Sequence, residues 1–211
     1  MTQLQVAKFL SDLRNALGKL ENLPMPTIAA IDGPALGGGL ELGLACDLRV
    51  AGHNVTKIGL PETGLGIIPG AGGTQRATRI LGLSKAKDLI FTARTLTATE
   101  ALDWGMESDS QFATMFLNTN QGLVDYISSE GSNAFDRAVK LASQIANNAP
   151  LALRAAKQAI SRSEDLALEA GAIYLGLDFE RASYETLLPT TDRIEALNAF
   201  REKRRPVFKG E

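Results

Sequence analysis

The amino-acid sequence predicts an α/β fold in which short strands come early in the chain and helices come late. The first third of the chain contains three short apolar runs with the length of buried strands, at 27–31, 48–51 and 57–60. From Gly72 onward, apolar residues recur at helical spacing instead. This order predicts a strand-bearing core over residues 1–128 and a helical region over 129–211.

The composition is that of a folded chain with a sizeable core and little net charge. Its 211 residues are enough for one domain of moderate size, and 45% of them are apolar. The formal net charge of −2 gives no electrostatic reason to expect a nucleic-acid or membrane partner. Cys46 is the only cysteine, which excludes an internal disulfide framework. No apolar run approaches the roughly 18 residues of a transmembrane helix, and the first residues lack the pattern of a targeting segment.

The first element is a helix, because apolar residues recur at helical spacing over about residues 3–21. Its buried face is predicted to carry Leu4, Phe9, Leu10, Leu13, Leu17 and Leu20. Pro24 and Pro26 end this helix, and the apolar run 27–31 that follows is predicted to be a buried parallel strand. After a loop, residues 38–46 are predicted to form a short helix that opens with glycines.

Two more short strands complete the early part of the chain, at 48–51 and 57–60. Helical patterns then dominate, since Gly82 ends a helix that starts at Gly73 and Ser84 caps the next one. Thr97 and Glu100 form the capping box of a further helix. Four longer helices are predicted at about 132–147, 151–163, 165–185 and 190–203.

Two glutamates and a glycine run are the strongest candidates for chemistry. Gly37, Gly38 and Gly39 stand at the mouth of the short helix, where glycine lets backbone N–H groups approach a ligand with no Cβ in the way. Glu41 lies one turn inside that helix, and Glu62 follows a predicted strand end 21 residues later. An oxyanion site with two carboxylates is equipped to add or remove a proton next to a carbonyl.

Each of these features also has a purely structural interpretation. The glycine run can be a tight turn, and Glu41 and Glu62 can be solvated carboxylates on a helix and a loop. The helix around Glu41 is apolar on nearly all sides, however, and a carboxylate on a buried helix must be paired or neutral. Both conditions are typical of active sites. The glycine-rich segment 70–73 has two interpretations. It resembles a loop that binds an anion, although it lacks the lysine of a phosphate-binding loop, or it is a plain loop that leads into a helix.

The remaining reactive side chains argue against metal or nucleophilic chemistry. His53 is the only histidine and has no nearby cysteine ligand, so we expect it on a loop surface and expect no metal site. Cys46 lies in an apolar helix and is interpreted as a packing residue. The basic segment 201–205 is interpreted as a solvated helix end, with phosphate binding as the alternative.

Three segments together resemble the crotonase superfamily of enoyl-CoA hydratases and isomerases. They are PTIAAIDGPALGGGLELGLACDLRVAG at 26–52, GLPETGLGIIPGAGGTQRATRILG at 59–82 and TDRIEALNAFREKRRPVFKGE at 191–211. The resemblance covers nearly the whole chain and is closest to the branch of the methylglutaconyl-CoA, or AU-binding enoyl-CoA, hydratases. It implies a crotonase-like ββα spiral core over 1–128 and a C-terminal helical oligomerisation region over 129–211.

The resemblance also implies an activity and the residues that carry it. Glu41 and Glu62 match the two catalytic glutamates that add water across the 2,3 double bond of an enoyl-CoA, with 3-methylglutaconyl-CoA as one candidate substrate. The Gly38 N–H matches an oxyanion-hole donor for the thioester carbonyl, and Phe200 and Lys203 match residues that contact CoA. No cofactor is implied besides the CoA of the acyl-CoA substrate, and no metal. The resemblance further implies a homotrimer or hexamer in mitochondria.

Two features depart from the pattern of that family. The family has several strands ahead of the segment that matches here, with the second oxyanion donor among them, so we expect the chain to be incomplete at its N-terminus. Residues 106–121 and 172–176 interrupt the pattern and are interpreted as insertions or gene-model artefacts. A non-catalytic subunit or pseudoenzyme, a truncated gene model and an enoyl-CoA isomerase therefore stand as alternatives to the hydratase.

Overall fold

Two compact units make up the chain in the computed structural model, which describes residues 2–104, 122–166 and 172–211. The first unit comprises Met1–Leu23 and Thr27–Leu141, and the second comprises Pro24–Pro26 and Ala142–Glu211. Every strand of the described residues belongs to the first unit. The predicted insertion at 106–121 lies outside the described residues, whereas 172–176 begin a helix of the second unit.

The first unit alternates short strands with helices, as expected of an α/β fold. Its helices are α1 Gln3–Glu21, α2 Gly38–Leu44, α3 Gly73–Phe91 and α4 Ala98–Asp103, with a 3₁₀ helix at Pro61–Leu65. Its strands are β1 Ile28–Ile31, β2 Ala35–Leu36, β3 Leu48–Ala51, β4 Ile58–Gly59, β5 Thr95–Leu96 and β6 Tyr126–Ile127. Helix α5, Ala134–Ile145, also begins in this unit.

The strands form two small sheets that share one apolar core. One sheet has the order β1-β3-β6 with all pairs parallel, and its register places Ile28 opposite Leu48 and Val50 opposite Tyr126. The other sheet has the order β2-β4-β5, in which β2 and β4 are parallel and β5 is antiparallel. The largest fully buried side chains are Leu40, Ile58, Leu60, Leu89, Leu96, Leu123, Val50 and Val124. Each of them contributes about 1.5–3 kcal/mol to folding by leaving water, and together they fix α2 and α3 against the sheets.

Helix α1 packs against the rest of the first unit mainly through its C-terminal half and through Leu10, which lies against Gly70. Leu17 is buried against Ala45 and Ala71, whereas Leu4 is 81% exposed and Phe9 is 53% exposed. The prediction that this face of α1 is buried is therefore wrong at Leu4 and Phe9. Helical spacing identifies the side of a helix that is apolar, but it does not say how far along that side the packing partner extends.

The predicted early strands are confirmed at β1, β3 and β4, and β3 has the predicted bounds. Sequence reasoning did not find β2, β5 and β6, because strands of two residues are too short to show an alternating pattern. The predicted break at Gly82 is confirmed, since this glycine has φ 76° and ψ 165° inside α3 and kinks the helix there. The capping box of Thr97 and Glu100 at the start of α4 is also confirmed.

Two polar contacts between distant parts of the sequence close the first unit. The Asp32 carboxylate accepts hydrogen bonds from the first amides of α5, beginning with that of Ala134. Arg49, only 4% exposed, pairs with Asp125 at 2.8 Å and donates to the Leu123 carbonyl at 3.0 Å. Burial raises the pKa of the Asp125 carboxyl, and the charge of Arg49 partly offsets this. These contacts tie β6 and α5 to the strands that come early in the chain.

The second unit is helical. It contains α6 Pro150–Leu166, α7 Ala172–Leu187 and α8 Thr191–Glu202, and α6 and α7 pack against each other. The last residues of the chain fold back along α8. The carboxylate of Asp192 accepts hydrogen bonds from the amides of Lys209 at 2.7 Å and Gly210 at 2.9 Å. No helix in the described ranges is both long enough and apolar enough to cross a membrane.

Candidate active site

The glycine run at 37–39 forms the turn from β2 into α2. Gly37 caps the helix with φ 53° and ψ −124°, a backbone conformation that favours glycine. A Cβ at Gly37 would lie 3.2 Å from Glu62 Oε1, so the glycine also leaves room for that carboxylate. At Gly38 and Gly39 a Cβ would meet nothing within 4 Å. The amides of these two exposed residues start the helix, where no carbonyl one turn earlier is available to accept from them.

Glu41 is held by amides of the second glycine loop. It is only 3% exposed, and its Oε1 accepts hydrogen bonds from Ala71 N at 2.7 Å and Gly73 N at 2.8 Å. A Cβ at Gly73 would lie 3.0 Å from the same oxygen, so glycine permits this close approach. The loop leads into α3, as its plain structural interpretation proposed, and its amides also bind the carboxylate of Glu41.

The burial of Glu41 follows from its neighbours on α2, although one part of that prediction is wrong. Leu40 and Leu44 are buried in the core, which draws this side of the helix inward. Leu42 is 51% exposed, so α2 is not buried on nearly all sides. A helix of this length packs on the sheets and on α3 with one side and leaves the opposite side to solvent.

Glu62 has a different environment from Glu41. It lies in the 3₁₀ helix that follows β4, is 9% exposed, and its Oε2 has no hydrogen-bond partner among the described residues. Burial raises the pKa of the Glu62 carboxyl, its own backbone amide lowers it in part, and the charge of Glu41 raises it further. The Glu41 carboxylate is thus held by two backbone donors, while the Glu62 carboxylate has an oxygen without a hydrogen-bond partner among the described residues.

The structure brings most of the predicted site residues together in the first unit. Glu41, Glu62 and Gly38 lie around the start of α2, next to the loop 70–73. Phe200 and Lys203 belong to the second unit, where Phe200 is 85% exposed on α8 and Lys203 ends this helix with φ 54°. Sequence reasoning missed the bonds from Ala71 and Gly73 to Glu41, and the glycine spacing was the only signal for them.

The described residues include no group of three or more His, Cys, Asp or Glu side chains that could hold a metal ion. His53 is half-buried, and its backbone amide donates to Ser128 Oγ at 3.2 Å. His53 lies in the loop after β3, as expected, but is only partly exposed, because this loop packs against the segment that follows β6. The chemistry available beside Glu41 and Glu62 is that of carboxylates and backbone amides.

The sequence model of the enoyl-CoA hydratase/isomerase family matches residues 2–111 and 118–211. The unmatched residues 112–117 fall inside the predicted insertion at 106–121. The match continues across 172–176 without a break, so it does not mark the second predicted insertion.

Relatives and solved structures agree with this match. An enoyl-CoA isomerase/hydratase of Mycosarcoma maydis is 51% identical over 210 residues, and the human mitochondrial methylglutaconyl-CoA hydratase is 46% identical over 211 residues. All of this chain is covered in both cases, and it spans 68% and 56% of those proteins. The crystal structure of an enoyl-CoA hydratase from Bacillus anthracis superimposes with a TM-score of 0.86 at 42% identity, over all of this chain and 72% of that one. The similarity confirms the predicted crotonase-like α/β fold.

Proposed function

Because the chain belongs to the enoyl-CoA hydratase/isomerase family, we propose that it adds water across the 2,3 double bond of an enoyl-CoA thioester. The observation that carries this proposal is the pair of buried glutamates, Glu41 and Glu62, which lie close together in unlike surroundings. General acid–base chemistry needs two groups whose environments separate their protonation states.

The surroundings of the two carboxylates suggest a role for each. The amides of Ala71 and Gly73 both bond Oε1 of Glu41, which leaves Oε2 to accept a hydrogen bond from water. Glu41 is therefore proposed to orient the water and take its proton as the hydroxyl oxygen bonds to C3. Glu62, whose pKa is raised by burial, is proposed to give its proton to C2. A proton passed from Glu41 to Glu62 through solvent then restores both groups, so one water is added in all.

Gly38 is proposed to stabilise the charge that develops on the thioester oxygen. As C3 is attacked, the electrons of the double bond move toward the carbonyl and give it enolate character. The Gly38 amide starts α2 on an exposed stretch of chain, where a thioester oxygen can approach it. A backbone donor of this kind typically contributes roughly 3 kcal/mol to the transition state.

The remaining proposals rest on the resemblance to the family and on the names of relatives rather than on the glutamates. We propose that Phe200 and Lys203 contact the CoA part of the substrate, that no cofactor is needed besides this CoA, and that the chain forms a homotrimer or hexamer. Mitochondrial location is proposed because relatives of human, mouse and Arabidopsis thaliana are named mitochondrial. The name of the human relative makes 3-methylglutaconyl-CoA a candidate substrate.

Isomerisation is the second candidate reaction, because the Mycosarcoma maydis relative is named an isomerase/hydratase. The presence of two buried glutamates favours hydration, in which a water must be activated and a separate proton delivered. An assay with a 3-enoyl-CoA separates the two reactions, because only an isomerase converts it into the 2-enoyl isomer.

The proposed function is tested by the hydration of crotonyl-CoA with the purified 211-residue chain. We expect activity in the unaltered protein and a decrease of roughly 10²–10⁴-fold in Glu41→Gln, which keeps the shape of the side chain but cannot take a proton. Glu130→Gln, at an exposed glutamate, is the matched control and is expected to leave the rate unchanged. Absence of hydration by the folded chain would contradict the proposed function and favour a non-catalytic subunit. Full activity in Glu41→Gln would contradict the role of Glu41.

A further inference from the structure

Two arginines hold the backbone of the loop that binds Glu41. Arg14 of α1 donates from Nε to the Gly70 carbonyl at 2.7 Å, and Arg76 of α3 donates from Nη1 to the Ala71 carbonyl at 3.0 Å. These two carbonyls belong to consecutive peptide units of the loop. Neither arginine was singled out by the sequence, because Arg14 is 56 residues from Gly70 and Arg76 is 55 residues from Glu21.

The first of these peptide units is held at both ends. Its carbonyl, that of Gly70, accepts from Arg14, and its N–H, that of Ala71, donates to Glu41. Because a peptide unit is planar, fixing the direction of its carbonyl also fixes the direction of its N–H. A cation on the carbonyl further polarises the unit and strengthens the opposite N–H as a donor.

Arg76 is itself anchored by a bidentate ion pair. Its Nε and Nη2 donate to the two carboxylate oxygens of Glu21, at 3.0 and 2.8 Å, while Nη1 remains for the Ala71 carbonyl. The Arg76 side chain is 14% exposed, and its hydrogen bonds to the Glu21 carboxylate raise its pKa, so it stays a cation at any working pH. The Arg76 guanidinium thus links the C-terminal end of α1, the first turn of α3 and the loop 70–73 that directly precedes α3.

We propose that Arg14 and Arg76 are positioning residues for Glu41. Arg14 orients the peptide unit that carries the Ala71 amide, Arg76 fixes the next unit, between Ala71 and Gly72, and the loop held in this way orients the carboxylate of Glu41. The consequence for catalysis rests on the proposed hydratase function. Neither arginine is placed against the substrate by this proposal. Their loss is therefore expected to lower kcat by up to about 10²-fold, the effect of misplacing a catalytic group by about 1 Å, and to leave KM unchanged.

The test uses Arg14→Met, Arg76→Met and the conservative Arg76→Lys in the 211-residue chain. Arg94→Met is the matched control, because Arg94 pairs with Asp88 of α3 at 3.1 Å and does not bond the loop. Backbone hydrogen exchange at Ala71 and Gly73, measured by NMR, reports on the loop without any assay of activity. Steady-state hydration of crotonyl-CoA gives kcat and KM for each variant.

We expect faster exchange at both amides and a lower kcat in Arg14→Met and Arg76→Met, with partial recovery in Arg76→Lys and no change in Arg94→Met. Unchanged exchange and unchanged kcat in the two methionine variants would overturn the proposal. The same effects in Arg94→Met would overturn it as well, because they would then reflect general loss of stability. If the unaltered chain shows no hydration, the proposed function fails, whereas the exchange rates still decide whether the arginines hold the loop.

Discussion

At the scale of single residues, Glu41 and Glu62 show how the same side chain acquires two different characters within one site. One carboxylate oxygen of Glu41 accepts hydrogen bonds from two backbone amides, whereas Glu62 is buried and its Oε2 has no hydrogen-bond partner among the described residues. A buried oxygen without a partner is costly for folding, and it is retained where a site needs it. The pair is therefore better explained by chemistry than by stability.

The raised pKa of Glu62 predicts a pH-dependent stability. A carboxyl whose pKa is higher in the folded state favours folding while it is protonated, and this contribution is lost as the pH rises through the folded pKa. Glu62→Gln cannot ionise, so its thermal stability relative to the unaltered protein should increase between about pH 4 and about pH 8. Thermal unfolding at a series of pH values measures this difference.

The same variant separates stability from activity. Glu62→Gln is expected to hydrate crotonyl-CoA roughly 10²–10⁴-fold more slowly, although its stability relative to the unaltered protein increases with pH. Glu130→Gln again serves as the control, because an exposed carboxyl should give no such pH-dependent difference. A stability difference between Glu62→Gln and the unaltered protein that stays constant between about pH 4 and about pH 8 would contradict a raised pKa of the Glu62 carboxyl.

At the scale of elements, the turn from β2 into α2 depends on Gly37. A residue with a Cβ is strained at φ 53° and ψ −124° and would also press on Glu62 Oε1. Gly37→Ala is therefore expected to lower the free energy of unfolding by about 1–3 kcal/mol. Gly39→Ala is the matched control, since its Cβ meets nothing within 4 Å and alanine favours a helix by up to about 1 kcal/mol over glycine.

Urea unfolding of the two alanine variants measures these free energies side by side. The expected order is Gly37→Ala least stable, then the unaltered protein, then Gly39→Ala. Equal stability of the two variants would show that the turn relaxes around an added Cβ, which would contradict the requirement for glycine at Gly37.

The elements also show what the sequence could and could not predict. The apolar spacing of α1 and the capping box of α4 are local signals, and both elements are confirmed. The burial of Glu41 was predictable from Leu40 and Leu44, because the core draws their side of the helix inward. The bond of Arg14 to the Gly70 carbonyl and the ion pair of Arg76 with Glu21 were not predictable, because they join segments that only the folded chain brings together. Two-residue strands likewise form only because a partner strand is present.

At the scale of the whole molecule, both units leave large apolar side chains exposed. Leu4 and Phe9 are exposed on α1 in the first unit, and Leu197 and Phe200 are exposed on α8 in the second. Apolar surface of this kind is typical of proteins that associate, and the formal net charge of −2 opposes association only weakly.

We therefore expect the chain to associate in solution through apolar contacts. Sedimentation velocity should give a mass that is a multiple of 22.5 kDa, three-fold or six-fold for the proposed homotrimer or hexamer. Because apolar association is not screened by ions, the mass should persist at about 1 M salt, where the Debye length is only about 3 Å. A species of 22.5 kDa at micromolar concentrations would contradict the proposed assembly.

The spacing of the polar contacts along the chain sets an order of events during protein synthesis. Glu41 meets its partners Ala71 and Gly73 only 30 and 32 residues later, whereas Asp32 meets Ala134 after 102 residues. At about 5–20 residues per second, a ribosome completes the first interval in about 2–6 s and the second in about 5–20 s. The partners of Glu41 are therefore synthesised before residue 134, whose amide binds the Asp32 carboxylate, has been added to the chain.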